Sequence, residues 1–149
     1  MTLSKLSYLN PQICKVEILS LLNTDSISVT TDGRSMSITP KTGKDWTHIY
    51  TTPGKNTFEE ESSEELGNMF FLQKLEIMFP GEDSSSLSAL ANINNWQLIV
   101  KFTYTSGTIK VFGDLFNPVV TKVAFSTEKG GRVVSFSRKS EVPAFNFVY

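Results

Sequence analysis

The stretch that decides the fold is NWQLIVKFTYTSGTIKVFGD, residues Asn95 to Asp114. Its first half carries one apolar row: Trp96, Leu98, Val100, Phe102 and Tyr104. After a Thr-Ser-Gly-Thr turn the alternation resumes, with Ile109, Val111 and Gly113 on one face and Lys110, Phe112 and Asp114 on the other. Because successive strand side chains point to opposite faces, this pattern predicts an antiparallel hairpin. Ile99 and Phe112 interrupt the polar rows, so we expect both faces of the hairpin to be covered, in the middle of a two-layer core.

Further alternating runs separated by turn residues predict most of the other strands. Asp32-Gly33 between two such runs is a strong hairpin signal, because glycine accepts a positive φ without steric cost. For Lys15–Leu22, the first of these runs, a short helix is the alternative to a strand. The predicted strands are Lys15–Leu22, Ser26–Thr31, Arg34–Thr39, Trp46–Thr51, Leu66–Phe79, Pro118–Ser126, Arg132–Arg138 and Ala144–Tyr149.

One segment has the features of a helix. Residues 83–92 begin with Asp83 and Ser84, which can cap free N–H groups, and Leu87, Leu90 and Ala91 share a helical face. The fold class that follows is mainly β, an antiparallel two-layer sandwich or barrel-like sheet with one short packed helix. A chain of 149 residues without repeats is expected to form a single domain over residues 1–149.

The most highly charged segment, Phe58 to Glu65, carries five glutamates within seven residues. Like charges at this density repel, which predicts a solvated loop or an extended arm over residues 55–66. Divalent cations bind carboxylates, but the segment lacks the Asp/Asn/Gly spacing of a calcium loop, so we expect no metal there.

The charge of the chain is unevenly distributed. Residues 1–100 carry 7 basic and 12 acidic side chains, a net charge of −5, whereas residues 101–149 carry 7 and 3, a net charge of +4. Such polarity can guide self-association, although two faces of one solvated domain give the same pattern. The total of −1 and the absence of a stacking motif argue against nucleic acid as a specific ligand.

Nothing in the sequence predicts a catalytic or cofactor site. The single histidine, His48, lies within a predicted strand and has no nucleophile on a strained turn beside it. No Cys/His cluster or phosphate-binding loop is present, so we expect no enzymatic activity, no cofactor and no small-molecule substrate. The one cysteine, Cys14, excludes an intrachain disulfide and is expected to be buried. We find neither a secretory signal nor a membrane-spanning run, and therefore predict no membrane association.

The C-terminal residues from Trp96 follow a cadence of strands and turns: WQLIVKFTYTSG, TIKVFGD, NPVVTKVAFST and EKGGRVVSFSRKSEVPAFNF. This cadence resembles small proteins of tailed phages and prophages of Bacteroidetes-type gut bacteria. A β-sandwich or barrel with one packed helix is also similar to phage tail-tube subunits. The resemblance implies a virion or tail component that assembles by edge-to-edge β pairing, with a hairpin or arm that reaches the neighbour. Its location would be the bacterial host cytoplasm and then the virion.

The leading hypothesis is therefore a non-enzymatic phage structural protein, whose partners are copies of itself or other virion proteins. We expect assembly contacts on the acidic arm or the terminal strand, together with basic residues of the C-terminal part. The candidate residues are Glu59, Glu60, Glu61, Glu64, Glu65, Arg132, Arg138 and Lys139.

A second hypothesis is a β-sandwich binding module that recognises a glycan or a protein. Aromatic rings offer flat, weakly solvated contact surfaces. The candidate platform consists of Trp46, Tyr50 and Tyr104. Two or more of these rings exposed on one face would favour the binding module.

Overall fold

The computed structural model describes residues 12–49, 51–52, 54–79, 97–113, 119–126 and 131–147. These residues form eleven strands and one 3₁₀ turn, Leu21–Asn23, which is their only helical element. The helix predicted for residues 83–92 lies outside the described residues. The strands are β1 Ile13–Ser20, β2 Thr24–Val29, β3 Ser35–Pro40, β4 Thr47–Ile49, β5 Thr57–Glu65, β6 Asn68–Phe79, β7 Leu98–Tyr104, β8 Ile109–Phe112, β9 Val120–Ser126, β10 Gly131–Ser140 and β11 Phe145–Phe147.

The strands form two open sheets. The large sheet has seven strands in the order β2-β3-β11-β8-β7-β1-β4, and the small sheet has four in the order β5-β6-β10-β9. Within the described part of the chain neither sheet closes on itself, so the architecture is a sandwich and not a barrel. The mainly β, two-layer prediction is confirmed.

The large sheet departs from the purely antiparallel prediction at its terminal strand. β11 pairs antiparallel with β8 but parallel with β3, where Asn146 lies opposite Ser35. The sheet is therefore mixed. The terminal strand was expected to offer an assembly contact, but the structure places β11 inside the sheet with a partner on each side.

The hairpin predicted within residues 95–114 is confirmed as β7–β8, in the centre of the large sheet. Both of its faces are covered, because Ile99, Val100, Val111 and Phe112 are fully buried. Within β8 the predicted alternation is correct, because Ile109 and Val111 share one face and Phe112 lies on the other. Phe112 was expected on the polar face with Ile99, but it lies opposite Val100 and so on the face of the apolar row of β7. The turn shifts the alternation, so the apolar row of β7 continues through Phe112.

The space between the two sheets contains the main core. Alternate residues of β1, β7 and β8 on one side meet alternate residues of β6 and β10 on the other. Burying these side chains provides the principal stabilisation of the fold. The core residues are Ile13, Val16, Ile18, Ile49, Leu75, Ile77, Leu98, Val100, Phe102, Phe112, Val119, Val134 and Phe136.

A second apolar cluster lies on the opposite face of the large sheet, which we call the outer face. It runs across β1, β7, β8, β11 and β3, because each of these strands places its alternate residues there. Its members are Leu19, Met36, Ile38, Ile99, Val111, Phe145 and Phe147.

Candidate functional site

The acidic segment forms one strand of a long hairpin. β5 pairs with β6 from Thr57 opposite Glu76 to Glu65 opposite Asn68, without a register shift. The segment is therefore a strand, although its charge density predicted a loop or arm. Its partner β6 supplies the apolar residues that hold it in place, and Phe58 packs against Phe102 and Phe112 in the core.

The part of this hairpin beyond Phe58 and Leu75 is mostly exposed, and we call residues 59–72 the arm. All five of its glutamates are exposed, and β5 is one of the two edge strands of the small sheet. Acidic side chains along an edge strand suppress pairing with a like-charged edge. The arm thus offers a long backbone edge to which a basic surface is electrostatically complementary.

The turn of the arm is a two-residue connection, Leu66-Gly67, with φ values of 51° and 84°. Both positive values are those of a type I′ hairpin turn, in which the first position favours Asn, Asp or Gly. Leu66 occupies that position, is the only non-glycine described residue with a positive φ, and is 97% exposed. A branched apolar residue at this position costs conformational energy and hydrophobic free energy without a benefit inside the protomer.

Exposed apolar residues concentrate around the arm. The described residues include six large hydrophobic side chains that are exposed, of which Leu66, Met69 and Leu72 belong to the arm and Val142 lies beside it. Strand alternation places Met69 and Leu72 on opposite faces of β6, so these side chains surround the arm and do not form one patch. Single exposed hydrophobic residues are ordinary, but a concentration of them on one element is typical of an interaction surface.

A polar network fixes the base of the arm to the rest of the small sheet. Arg138 Nε donates to Gln73 Oε1 at 2.6 Å, and Gln73 Nε2 donates to Glu60 Oε2 at 2.7 Å. The backbone N–H of Ala144 donates to the same Glu60 oxygen at 2.7 Å. Gln73 is 1% exposed and Arg138 6%. The network therefore joins β5, β6 and β10 at the base of the arm.

Lys139 links the tip of the arm to β10. Its Nζ lies 2.6 Å from Glu65 Oε2 and 3.8 Å from the ring centroid of Phe70. The hydrogen bond and charge of Lys139 lower the pKa of the Glu65 carboxyl below its usual value. Both groups are more than half exposed, so this pair orients the side chains and stabilises the fold little.

The structure disperses the three predicted basic contact residues. Arg132 and Lys139 lie seven residues apart on β10, roughly 23 Å at the usual rise per strand residue. Arg138 is buried in the network with Gln73, so its role is internal and not that of a surface contact. Lys139 alone adjoins the arm.

A lysine on the outer face of the large sheet is buried among aromatic rings. Lys101 is 4% exposed, and its Nζ lies 4.3 Å from the ring centroid of Trp46 and 4.4 Å from that of Phe147. Glu17 Oε1 lies 3.5 Å from the same nitrogen. Burial lowers the pKa of Lys101, and the nearby carboxylate of Glu17 opposes this effect. Lys101 thus covers a face of Trp46 that a ligand ring would need.

The predicted aromatic platform is divided between the two faces of the large sheet. Trp46 belongs to the outer cluster, whereas Tyr104 packs edge-on against Phe102 of the main core. Both are half-buried, and Tyr50 lies outside the described residues. The two described rings therefore do not share one binding surface.

The remaining candidates form no recognisable chemical site. His48 is exposed, and the part of the chain that the structure describes contains no group of three or more metal-ligating side chains. Cys14 is exposed and its Sγ donates to the Thr103 carbonyl at 3.4 Å, so the expected burial is wrong. No helix among the described residues has the length and apolar content needed to cross a membrane.

Comparison with known proteins gives no match: no family model, curated protein or solved structure is significantly similar to this chain.

Sequence reasoning located the acidic arm but missed the residues that shape it. Gln73 lies in an apolar run and gives no sign that it bridges Glu60 and Arg138. The predicted strand Leu66–Phe79 begins two residues before β6, because Gly67 is a turn signal that places the hairpin connection at Leu66-Gly67.

Proposed function

We propose that the protein is a non-enzymatic structural subunit of a phage or prophage particle, of a tail-tube or neck-like kind. In this proposal it associates with copies of itself or with other virion proteins through strand edges and the arm. The assignment to a virion is based on the resemblance of residues 96–149. The observation that carries the association is the arm, which combines an acidic edge strand, a rigid base and an exposed apolar tip.

The small sheet is suited to head-to-tail contact between copies. Its four strands are all antiparallel to their neighbours, so the two edge strands β5 and β9 run in opposite directions. A second copy placed beside the first then continues the antiparallel ladder when its β5 pairs with β9. Repeating this heterologous contact closes a ring or builds a filament.

Electrostatics favour this head-to-tail arrangement over a two-fold one. Pairing β5 with another β5 brings two rows of glutamates together, and like charges opposite each other destabilise a sheet. β9 contains Lys122 and no acidic residue. The opposite net charges of the N-terminal and C-terminal parts of the chain also favour head-to-tail contact between two copies.

The alternative function, recognition of a glycan or protein by an aromatic surface, has less support. Trp46 and Tyr104 lie on opposite faces of the large sheet, and the Trp46 ring contacts Lys101. The alternative requires a different surface from the one predicted.

Negative-stain microscopy of the purified protein tests the proposal. We expect rings or short stacks of uniform width at high protein concentration. Uniform single particles of one 16.6 kDa protomer over the whole concentration range would refute self-association. An enzymatic activity found in the monomer would refute the structural role.

A further inference from the structure

The two neighbours of β6 do not end at the same level. On one side β5 pairs with it as far as Asn68, but on the other side β10 ends at Ser140, opposite Phe71. Among the described residues, therefore, residues 68–70 have a strand partner on one side only. A short piece of open sheet edge lies beyond the end of β10.

The register indicates which backbone groups face this open edge. The Met78 N–H donates to Asn56 Oδ1 at 3.4 Å, and the Met78 carbonyl accepts from Thr52 N at 2.8 Å. Both partners come from the segment that leads into β5. Strand residues alternate in the neighbour that they face, and the β6 ladders show no register shift from Phe79 to Asn68. The N–H and C=O of Met69 therefore face the β10 side, where the edge is open.

A groove of about 660 Å³ lies at this open edge, and we call it the slot. Its apolar lining includes Leu66, Met69 and Phe70, and its acidic lining is Glu65 and Glu141. The one lysine of the lining, Lys139, is already bonded to Glu65.

The chain after β10 turns away from the slot. The Val142 carbonyl accepts from Gln73 Nε2 at 3.3 Å, and Ala144 N–H donates to Glu60. These bonds attach the segment to the base of the arm and hold it on the face of the small sheet to which the Gln73 side chain points. The protomer's own chain therefore does not continue the strand past Ser140.

We propose that the slot binds a short extended segment of another protein, which adds as a strand beside residues 68–70 in line with β10. An open strand edge requires an extended peptide, because only a backbone presents complementary N–H and C=O groups at the correct spacing. Three residues of edge span roughly 10 Å, which suits a core of three or four partner residues.

Charge and lining specify the chemistry of that segment. The lining of the slot carries two carboxylates, Glu65 and Glu141, and one ammonium, Lys139, which is bonded to Glu65; basic side chains on the partner therefore meet complementary charge at Glu141. Leu66, Met69 and Phe70 provide contact for apolar side chains. The partner segment therefore alternates basic and apolar residues. This inference is independent of self-association, because a monomeric protein retains the slot.

The test uses the full chain labelled with ¹⁵N and the peptide acetyl-Lys-Val-Arg-Val-Lys-Val-amide as the probe. We expect chemical-shift changes centred on residues 68–70 and 139–141, and at least about tenfold slower amide exchange at Met69. Two matched peptides serve as controls: one with glutamate in place of each basic residue, and one with alternate amides N-methylated. Both are expected to bind at least about tenfold more weakly.

Variants of the slot separate the backbone contribution from the side chain. Met69→Pro removes the N–H donor and should weaken binding about tenfold, whereas Met69→Leu should stay within about twofold of the native chain. Equal affinity for the N-methylated or the acidic peptide would overturn the proposal, as would shifts confined to the free edge of β5. If Met69→Pro does not fold, the N-methylated peptide with the native chain decides the same point.

Discussion

Gly113, directly after β8, lies close against the backbone of β7, the other strand of the central hairpin. It has a φ of 111°, and a Cβ placed there would lie 2.9 Å from the Leu98 carbonyl oxygen and 3.0 Å from Ile99 Cα. Both atoms belong to the backbone of β7, so they cannot move aside as a side chain would. We expect Gly113→Ala to lower the free energy of unfolding by about 3 kcal/mol or more, measured by urea denaturation.

Gly107, in the turn of the same hairpin, provides the control. It also has a positive φ, 94°, but no atom lies within 4 Å of the position of its Cβ. Gly107→Ala should therefore cost only the conformational strain of about 1–2 kcal/mol. Equal losses for the two variants would show that close packing at Gly113 is not the cause.

Glu17 is the charged partner on which the buried Lys101 depends. Glu17 Oε1 lies 3.5 Å from the Nζ of Lys101 and also 3.5 Å from that of Lys15, which is half exposed. Glu17→Gln removes the carboxylate beside the buried ammonium of Lys101. We expect this change to lower the free energy of unfolding by about 2 kcal/mol. Lys15→Gln removes only an exposed ion pair and should change stability by less than about 0.5 kcal/mol. Thermal and urea unfolding of the two variants would measure the difference.

The same lysine predicts a dependence of stability on pH. Its folded-state pKa is lowered from the ordinary 10.5, so near that value the unfolded chain binds more protons than the folded one. Stability from this group therefore rises with pH up to about 10.5 and is reduced as pH falls through the folded-state pKa. Glu17→Gln removes a group that raises this pKa, so the variant should show a steeper rise than the native chain. A flatter pH profile in the variant would contradict this account of Lys101.

At the scale of elements, the arm depends on the network at its base. Glu60 and Glu61 are neighbouring exposed residues of β5, but only Glu60 accepts hydrogen bonds from Gln73 and from the Ala144 backbone. Charge-assisted hydrogen bonds contribute about 1.5–3 kcal/mol each to stability, before solvent exposure is considered. We expect Glu60→Ala to lower the free energy of unfolding by about 2 kcal/mol and to speed hydrogen exchange at the Ala144 amide.

Glu61→Ala is the matched change on the other face of β5. It removes one charge from a repelling row and should leave stability unchanged or raise it by up to about 0.5 kcal/mol. Loss of the Ala144 protection in this variant as well would mean that total arm charge, not the Glu60 network, fixes the arm.

The elements that could be predicted from sequence are those formed by local signals. β2–β3 and β7–β8 each combine alternation with a glycine turn, and β6 ends before a Pro-Gly pair. The pairing of β5 as a strand was not predicted, because its charge density indicates a solvated loop or an extended arm, whereas pairing with the apolar β6 compensates the repulsion. The parallel contact of β11 with β3 joins residues more than 100 positions apart, and no local pattern specifies it.

For the whole molecule, we expect a substitution at Leu66 to stabilise the folded protomer and to weaken its association. Asn is favoured over Leu at a positive φ, so Leu66→Asn should raise the free energy of unfolding by about 0.5–1 kcal/mol. The same change removes an exposed apolar group from the tip of the arm and should weaken association. Calorimetry and sedimentation velocity on one preparation measure both effects.

Leu22 is the control for this variant, because it is 82% exposed and lies outside the arm. Leu22→Asn should leave association unchanged. Equal weakening by both variants would indicate non-specific hydrophobic contact and not an arm interface.

The candidate site was only partly predictable from the sequence, because contacts between distant strands leave no local signal. The glutamate row is visible in the sequence, so the arm could be located. The polar network at its base depends on Gln73, Arg138 and Ala144, which are brought together only by the pairing of β5, β6 and β10. The alternation of β7 places Lys101 in the polar row of the hairpin, and its burial arises from Trp46 and Phe147, two aromatic residues from other parts of the chain.

The most direct test of self-association is the molar mass of the native protein, measured by size-exclusion chromatography with light scattering over a wide range of concentration. The account predicts a mass that rises with concentration to a multiple of 16.6 kDa, and a smaller rise for Leu66→Asn. A mass that stays at 16.6 kDa at every concentration would contradict it.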